Sequence, residues 1–218
     1  MSYSGKVEVG GPADTRELPG LTVTKLAVGD FDNNVYFLKC RNTGEVLLID
    51  AANEADRLLE TLGDDRLVRI VTSHQHADHW QALEPVVAAT GAPVAAHPAD
   101  AGALPVPVQE LVNDSDTVTV GDVRLTAIHL VGHTPGSIAL LYEGDDERPH
   151  LFTGDCLFPG GPGNTFGNAE AFTQLMDDLE RKVFGPLPDE TWIYPGHGND
   201  TTLGAERPSL AEWRARGW

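Results

Sequence analysis

Three imidazoles and a carboxylate fall within six consecutive positions, His74-Gln75-His76-Ala77-Asp78-His79. Neutral imidazole nitrogens and carboxylate oxygens are ligands for zinc and similar divalent ions, whereas simple core packing has no use for polar groups at that density. The preceding segment, residues 67–72, reads as a buried strand. The following one, residues 80–90, has Trp80, Leu83, Val86 and Val87 at helical spacing. The motif therefore sits on a strand-to-helix loop, where backbone turns can aim side chains into a common cleft.

A metal site needs more ligands than one loop supplies. His133, in Val131-Gly132-His133-Thr134-Pro135-Gly136, Asp155, in Phe152-Thr153-Gly154-Asp155, and His197, in Tyr194-Pro195-Gly196-His197-Gly198, each follow a glycine at the expected C-terminal edge of a strand. Glycine there permits a tight turn, so the next side chain can point into a shared crevice. One such residue alone is best explained as a turn residue bonding its own backbone. Three in the same context, added to the first motif, point to a metal. His97, His129 and His150 are left outside the site, His97 in a structural or capping role. Cys156 has no separate His/Asp pair to activate it and reads as a small buried packer.

These residues must be positioned by alternating strands and helices. Strands are expected at 22–28, 34–40, 45–49, 67–72, 93–96, 117–120, 123–130, 137–142, 150–153 and 191–194, with an acidic exposed turn at 144–149. Helices are expected at 53–62 (capped and amphipathic), 80–90, 169–184 and 204–216. Strand-rich halves that each carry helices suggest an α/β fold with two sheets face to face and helices outside, a four-layer αββα sandwich. No Pro/Gly/Ser linker separates the halves, so residues 1–218 are expected to form one domain.

Composition narrows the function classes. A net charge of −18 argues against nucleic acid or an anionic membrane as partner and leaves a small-molecule substrate. No apolar stretch approaches the roughly 20 residues that span a bilayer. The N-terminus lacks the charged-then-apolar order of a signal peptide. Only Cys40 and Cys156 are present, too few for a disulfide scaffold, so a cytoplasmic setting with reduced thiols is expected.

Taken together, His74-x-His76-x-Asp78-His79, His133, Asp155 and His197 resemble the metallo-β-lactamase superfamily over nearly the whole chain. The resemblance implies that fold and two divalent ions, zinc before iron or manganese. His74, His76 and His133 would hold one ion, Asp78, His79 and His197 the other, and Asp155 would bridge them. It also implies that a metal-bridging hydroxide attacks a carbonyl, with no protein nucleophile. Asp78 is first a ligand and second a candidate proton relay.

Within the superfamily, the segments 132–137, 152–158, 195–198 and Asp32-Asn33-Asn34-Val35-Tyr36 are most similar to glyoxalase II-like thioester hydrolases. The chain departs from them where those enzymes hold glutathione. Asn164 stands at a basic position, Phe166 at a tyrosine position and Asn199 at a further tyrosine position, and the stretch after His197 is too short for their helical domain. An uncharged amide cannot replace a charge-assisted bond to a glutathione carboxylate. Phe158, Asn164, Phe166, Asn199 and Trp80 are the candidate pocket residues. A lactonase of the same fold would carry a tyrosine where Phe158 stands. A mononuclear-iron persulfide dioxygenase, using His74, His133 and Asp155, would carry an Arg-Thr-Asp-Phe pattern that Asn164-Thr165-Phe166-Gly167 breaks. A non-catalytic binding module tends to lose ligands, and none is missing here.

Overall fold

Strands with near-continuous apolar sequence must be covered on both faces, and the alternate residues of each strand are then shared between two different layers. The computed structural model, which describes residues 3–144 and 148–217, shows this partition. In chain order the first sheet contains β1 (Asp14–Glu17), β2 (Leu21–Val28), β3 (Asn33–Cys40), β4 (Val46–Ile49), β5 (Leu67–Val71), β6 (Val94–Ala96) and β7 (Glu110–Leu111), hydrogen-bonded in that order. The second sheet contains β8 (Thr117–Val120), β9 (Val123–His129), β10 (Ile138–Tyr142), β11 (His150–Gly154), β14 (Trp192–Pro195) and β15 (Thr201–Thr202), in the order β15-β14-β11-β10-β9-β8. Between them in sequence, β12 (Leu157–Phe158) and β13 (Gly161–Pro162) make a small separate hairpin.

Parity along the strands sorts the core into layers. Tyr36, Leu38, Leu47 and Ile49 point inward and meet Leu125, Leu140, Phe152 and Tyr194 of the other sheet. Their neighbours Val35, Phe37, Val46 and Leu48 point outward and are covered by Leu58 and Leu62 of α1 (Ala55–Leu62) and by Leu83 and Val86 of α2 (Leu83–Thr90). A further helix, α3 (Pro98–Ala101), follows β6. On the far side, Ala139, Leu141 and Leu151 pack under Phe172, Leu175 and Met176 of α4 (Ala169–Asp178), Leu203 of α5 (Leu203–Glu206) and Trp213 of α6 (Leu210–Arg216). The result is the αββα sandwich.

Several boundaries differ from expectation for local reasons. α1 begins at Ala55, and the preceding Glu54 is left-handed (φ 53°) with no side-chain cap, so the expected capping is absent. After the histidine motif the chain makes a 3₁₀ turn, Ala77–His79, before α2, which leaves Trp80 outside the helix. α4 is capped by the Asn168 side chain and continues as a π-helix, Leu179–Phe184. The C-terminal helix is interrupted by a 3₁₀ segment, Arg207–Ser209, where Pro208 has no N–H to donate. Of the expected acidic turn at 144–149, residues 145–147 lie outside the described residues. None of the helices among the described residues is long and apolar enough to cross a membrane.

Strand direction fixes where the site must lie. β9 and β11 are both antiparallel to β10, and β14 is parallel to β11, so β9, β11 and β14 end at one edge of their sheet. β4 and β5 are parallel in the other sheet. The two edges are stitched together there, with Asn34 N donating to Gly196 O at 2.7 Å.

Candidate metal centre

At this shared edge the structure gathers the seven residues singled out from the sequence. His74, His76 and His133 form one set, His74, His79 and Asp155 a second, and Asp78, His79 and His197 a third, with potential ligand atoms inside each set within 4.8 Å of one another. His133 Nε2 lies 2.9 Å from His76 Nδ1 and 3.3 Å from His74 Nε2, and His79 Nε2 lies 3.2 Å from His197 Nε2. Asp155 stands between the groups: Oδ2 is 3.6 Å from His133 Nε2 and 3.4 Å from His197 Nε2, and Oδ1 is 3.3 Å from His79 Nε2.

The glycine before His197 has a steric reason. A Cβ on Gly196 would fall 2.1 Å from Asp155 Oδ1, so only glycine lets the last loop approach the carboxylate.

The outward nitrogen of four of these imidazoles is bonded, which aims the inward one. His79 Nδ1 is 2.8 Å from Asp50 Oδ2, and His74 Nδ1 is 3.0 Å from Ser73 Oγ. His133 Nδ1 donates to Asn164 O and His197 Nδ1 donates to Phe31 O, at 2.8 and 2.7 Å. Such outer partners fix ring orientation and tautomer at metal sites. Asp50 also accepts from Ser73 N and Ser73 Oγ, each at 2.7 Å, so one buried carboxylate holds both the loop and a ring. Asp78 Oδ2 accepts from Asn33 Nδ2 at 2.9 Å. Asp100 accepts from Gln75 N and Thr134 Oγ1, tying the first histidine loop to the loop of His133.

The electrostatics divide the cluster. Burial pushes His74, His76 and His133 down, so all three are neutral with lone pairs to offer. Burial also opposes charge on His79, but the carboxylates of Asp155 and Asp50 outweigh it and hold this imidazole well above its usual range. His197 is likewise disfavoured by burial yet raised to about 9 by Asp155 and Asp78. Asp78 is held below the usual carboxylate range, mainly by its bond to His197. Asp155 is held there by His79 and His197 against the cost of burial.

This donor set fits divalent cations. Neutral imidazoles whose nitrogens converge within hydrogen-bond distance share too few protons to satisfy every lone pair, and Asp155 Oδ1 is buried without a hydrogen-bond partner. Nitrogen and carboxylate oxygen together suit zinc, iron and manganese.

The candidate pocket residues separate. The Phe166 ring lies 5.5 Å from that of His76 and 5.9 Å from that of His133, and the Phe158 ring lies 6.2 Å from that of His197. Asn164 acts through its backbone on His133, while its side chain accepts from Phe166 N and shapes the turn. Trp80 does not join the cluster: its indole packs on the outer core of the first sheet and Nε1 donates to Gln75 O. Asn199 is exposed beyond His197 and, among the described residues, makes no hydrogen bond to the cluster. His97 accepts from Ala99 N and caps α3, and Cys156 is fully buried with its thiol pushed up by burial.

Sequence reasoning missed Asp50, Asn33, Asp100 and Phe31. Asp50 could have been found, because it directly follows a buried strand in the manner of the other strand-end ligands. The rest are visible only through contacts made across the fold.

The chain belongs to the metallo-beta-lactamase superfamily, whose family model matches residues 28–197. It is 37% identical to a hydroxyacylglutathione hydrolase of Cereibacter sphaeroides over 76% of this chain, spanning only 62% of that protein's length. Among solved structures it is similar to ETHE1 from Myxococcus xanthus, with a TM-score of 0.76 and 30% identity over 88% of this chain and 84% of that one. It is also similar to TTHA1623 in a di-iron-bound form, with a TM-score of 0.71 and 30% identity over 84% and 96% of the two chains.

Proposed function

We propose that this metallo-beta-lactamase superfamily hydrolase cleaves thioesters at a two-metal site. His74, His76 and His133 would hold one divalent ion and Asp78, His79 and His197 the other, with Asp155 placed between the two sets to serve both. The observation that carries this is the Asp155 carboxylate, with Oδ2 near one imidazole from each set and Oδ1 buried without a hydrogen-bond partner. When bound, such a pair of ions lowers the pKa of water towards neutrality and polarises a carbonyl oxygen.

The chain's own residues supply position and charge. Asp50, Ser73, Asn164 and Phe31 fix four imidazole rings so that their inward nitrogens need no reorganisation. Asp78, oriented by Asn33 and held ionised by its bond to His197, suits a ligand's role first, with a proton relay second. Hydrolysis adds water across the acyl carbon–sulfur bond: a carbon–oxygen bond forms, the carbon–sulfur bond breaks, and the thiolate leaves and takes a proton. Cys156 is buried and held as a thiol, which leaves it no part as nucleophile. Zinc is the proposed metal, with the di-iron form of one similar structure making iron the alternative.

A panel of uncharged and glutathione thioesters assayed beside lactones, with oxygen uptake from a persulfide followed in parallel, tests the substrate class. Turnover of thioesters is expected, and inert thioesters beside active lactones or persulfides would overturn the proposal. Asp155→Ala should lose metal and activity together, beyond the roughly 10- to 100-fold typical of losing an outer partner. Normal turnover in that variant would contradict the bridge.

A further inference from the structure

Behind the seven candidate ligands stand two buried carboxylates, Asp50 and Asp100, each 1% exposed. Asp50 meets a ligand ring directly, at His79 Nδ1. Asp100, on α3, instead holds the chain beside three ligands. Its Oδ2 accepts from Gln75 N at 3.0 Å, between His74 and His76, and from Thr134 Oγ1 at 2.6 Å, next to His133. Both bonds fall on that one oxygen, while Oδ1 is buried without a hydrogen-bond partner.

A buried carboxylate with an unsatisfied oxygen is costly, and the helix that carries it does not require it. The cap of α3 is His97, whose Nδ1 accepts from Ala99 N. The fold brings Asp100 against the loop of His133 from two sides. A Cβ on Gly136 would fall 2.7 Å from Asp100 Oδ1, so only glycine there admits the approach. On the outer side the His97 ring stacks on that of His129 at 3.8 Å and 22°, and His129 Nε2 donates to Pro135 O at 2.8 Å. The helix is thus pinned to the loop that its carboxylate holds. The other ligands hang on different supports. Asp78 Oδ2 accepts from Asn33 Nδ2, and His197 Nδ1 donates to Phe31 O, so both depend on the turn into β3, while His79 depends on Asp50.

We propose that Asp100 is the positioning residue of His74, His76 and His133 alone, so that the two halves of the centre are framed separately. One frame is α3 and the other is the turn into β3. This rests on the paired site proposed above, whatever the substrate. The action is geometric: an outer partner that fixes a loop lowers the cost of ordering its imidazoles when an ion binds.

Cobalt(II), a paramagnetic substitute for zinc, reads the two sets separately by proton NMR. Each ligating imidazole with a hydrogen-bonded Nδ1 proton gives its own strongly shifted signal. His74 and His133 make a first pair of reporters, His79 and His197 a second, and single His→Gln substitutions assign them. In Asp100→Ala the first pair should appear only at roughly 10- to 100-fold higher cobalt concentration, with the second pair unmoved. Asp100→Asn, whose amide oxygen can accept both bonds, should restore the wild-type titration, which a role through charge would not predict. Thr134→Val keeps the bulk and removes one bond, so it should weaken the first pair alone, and it carries the test if Asp100→Ala does not fold. Asn33→Ala should shift the second pair instead. Pairs that move together in Asp100→Ala, a first pair unmoved in it or in Thr134→Val, or an Asp100→Asn as poor as Asp100→Ala would overturn the assignment. A wild type that takes a single ion would overturn the paired reading instead. Asp100 then keeps its role if that ion shows the first pair and weakens in Asp100→Ala, and loses it otherwise.

Discussion

Asp50 directs His79 from behind the cluster, and the sequence gives little warning of it because its effect depends on a ring 29 residues away in the chain. The seven candidate ligands were legible for the opposite reason: their chemistry is narrow, and the glycine before three of them is a local mark. Asp50→Asn keeps the shape and tolerates the left-handed backbone (φ 58°) but removes the charge that orients His79. It should weaken metal binding roughly 10- to 100-fold, as measured by competition with a chelating dye, with little loss of fold. The titration of His197 gives a second expectation. In the metal-free chain this imidazole is held up to about 9, and a ligand must be neutral, so uptake at neutral pH has to expel its proton. His79, held well above its usual range, has to lose a proton as well, so zinc affinity should rise with pH through about 9, with protons released into the buffer. Calorimetric titrations in buffers of different ionisation enthalpy check this, and uptake without proton release would contradict it.

Elements carry the ligands to one edge, and most elements were legible because alternate apolar residues on buried strands are a strong signal. The short pieces were not. β1, β7, β12, β13, β15 and α3 are two to four residues each and exist because neighbouring chain pairs with or covers them. Trp80 shows the same limit: helical spacing placed it at a helix start, while a 3₁₀ turn through His79 rotates it onto the outer core. The strand-end turns are where geometry is tightest. Gly196→Ala should cost more than tenfold in metal affinity, because its Cβ would meet Asp155 Oδ1 and His79 Cε1 at 2.1 and 2.9 Å. Stoichiometric titration with zinc would show it, and unchanged affinity would mean that the loop moves aside freely.

Across the whole molecule, two sheets must stay in register for residues from both to share one cluster. Part of that register is fixed by a buried ion pair. Lys25 of β2, fully buried, donates to Asp200 Oδ1 at 2.6 Å and to the carbonyls of Gly5 and Gly198, beside the loop of His197. Burial pushes the Lys25 ammonium down and the Asp200 carboxyl up, so each depends on the other for its charge. Lys25→Met should destabilise the protein by about 3–5 kcal/mol in urea unfolding, and Lys25→Met/Asp200→Leu should recover much of that. A single variant as stable as wild type would show that the pair does not hold the sheets. No local pattern marked this lysine, since its partner lies 175 positions away. The paired site itself is decided by the metal content of the purified protein after zinc loading and exhaustive dialysis. Two ions per chain are expected, falling below one in Asp155→Ala; a single tightly bound ion in the wild type would contradict a bridged pair.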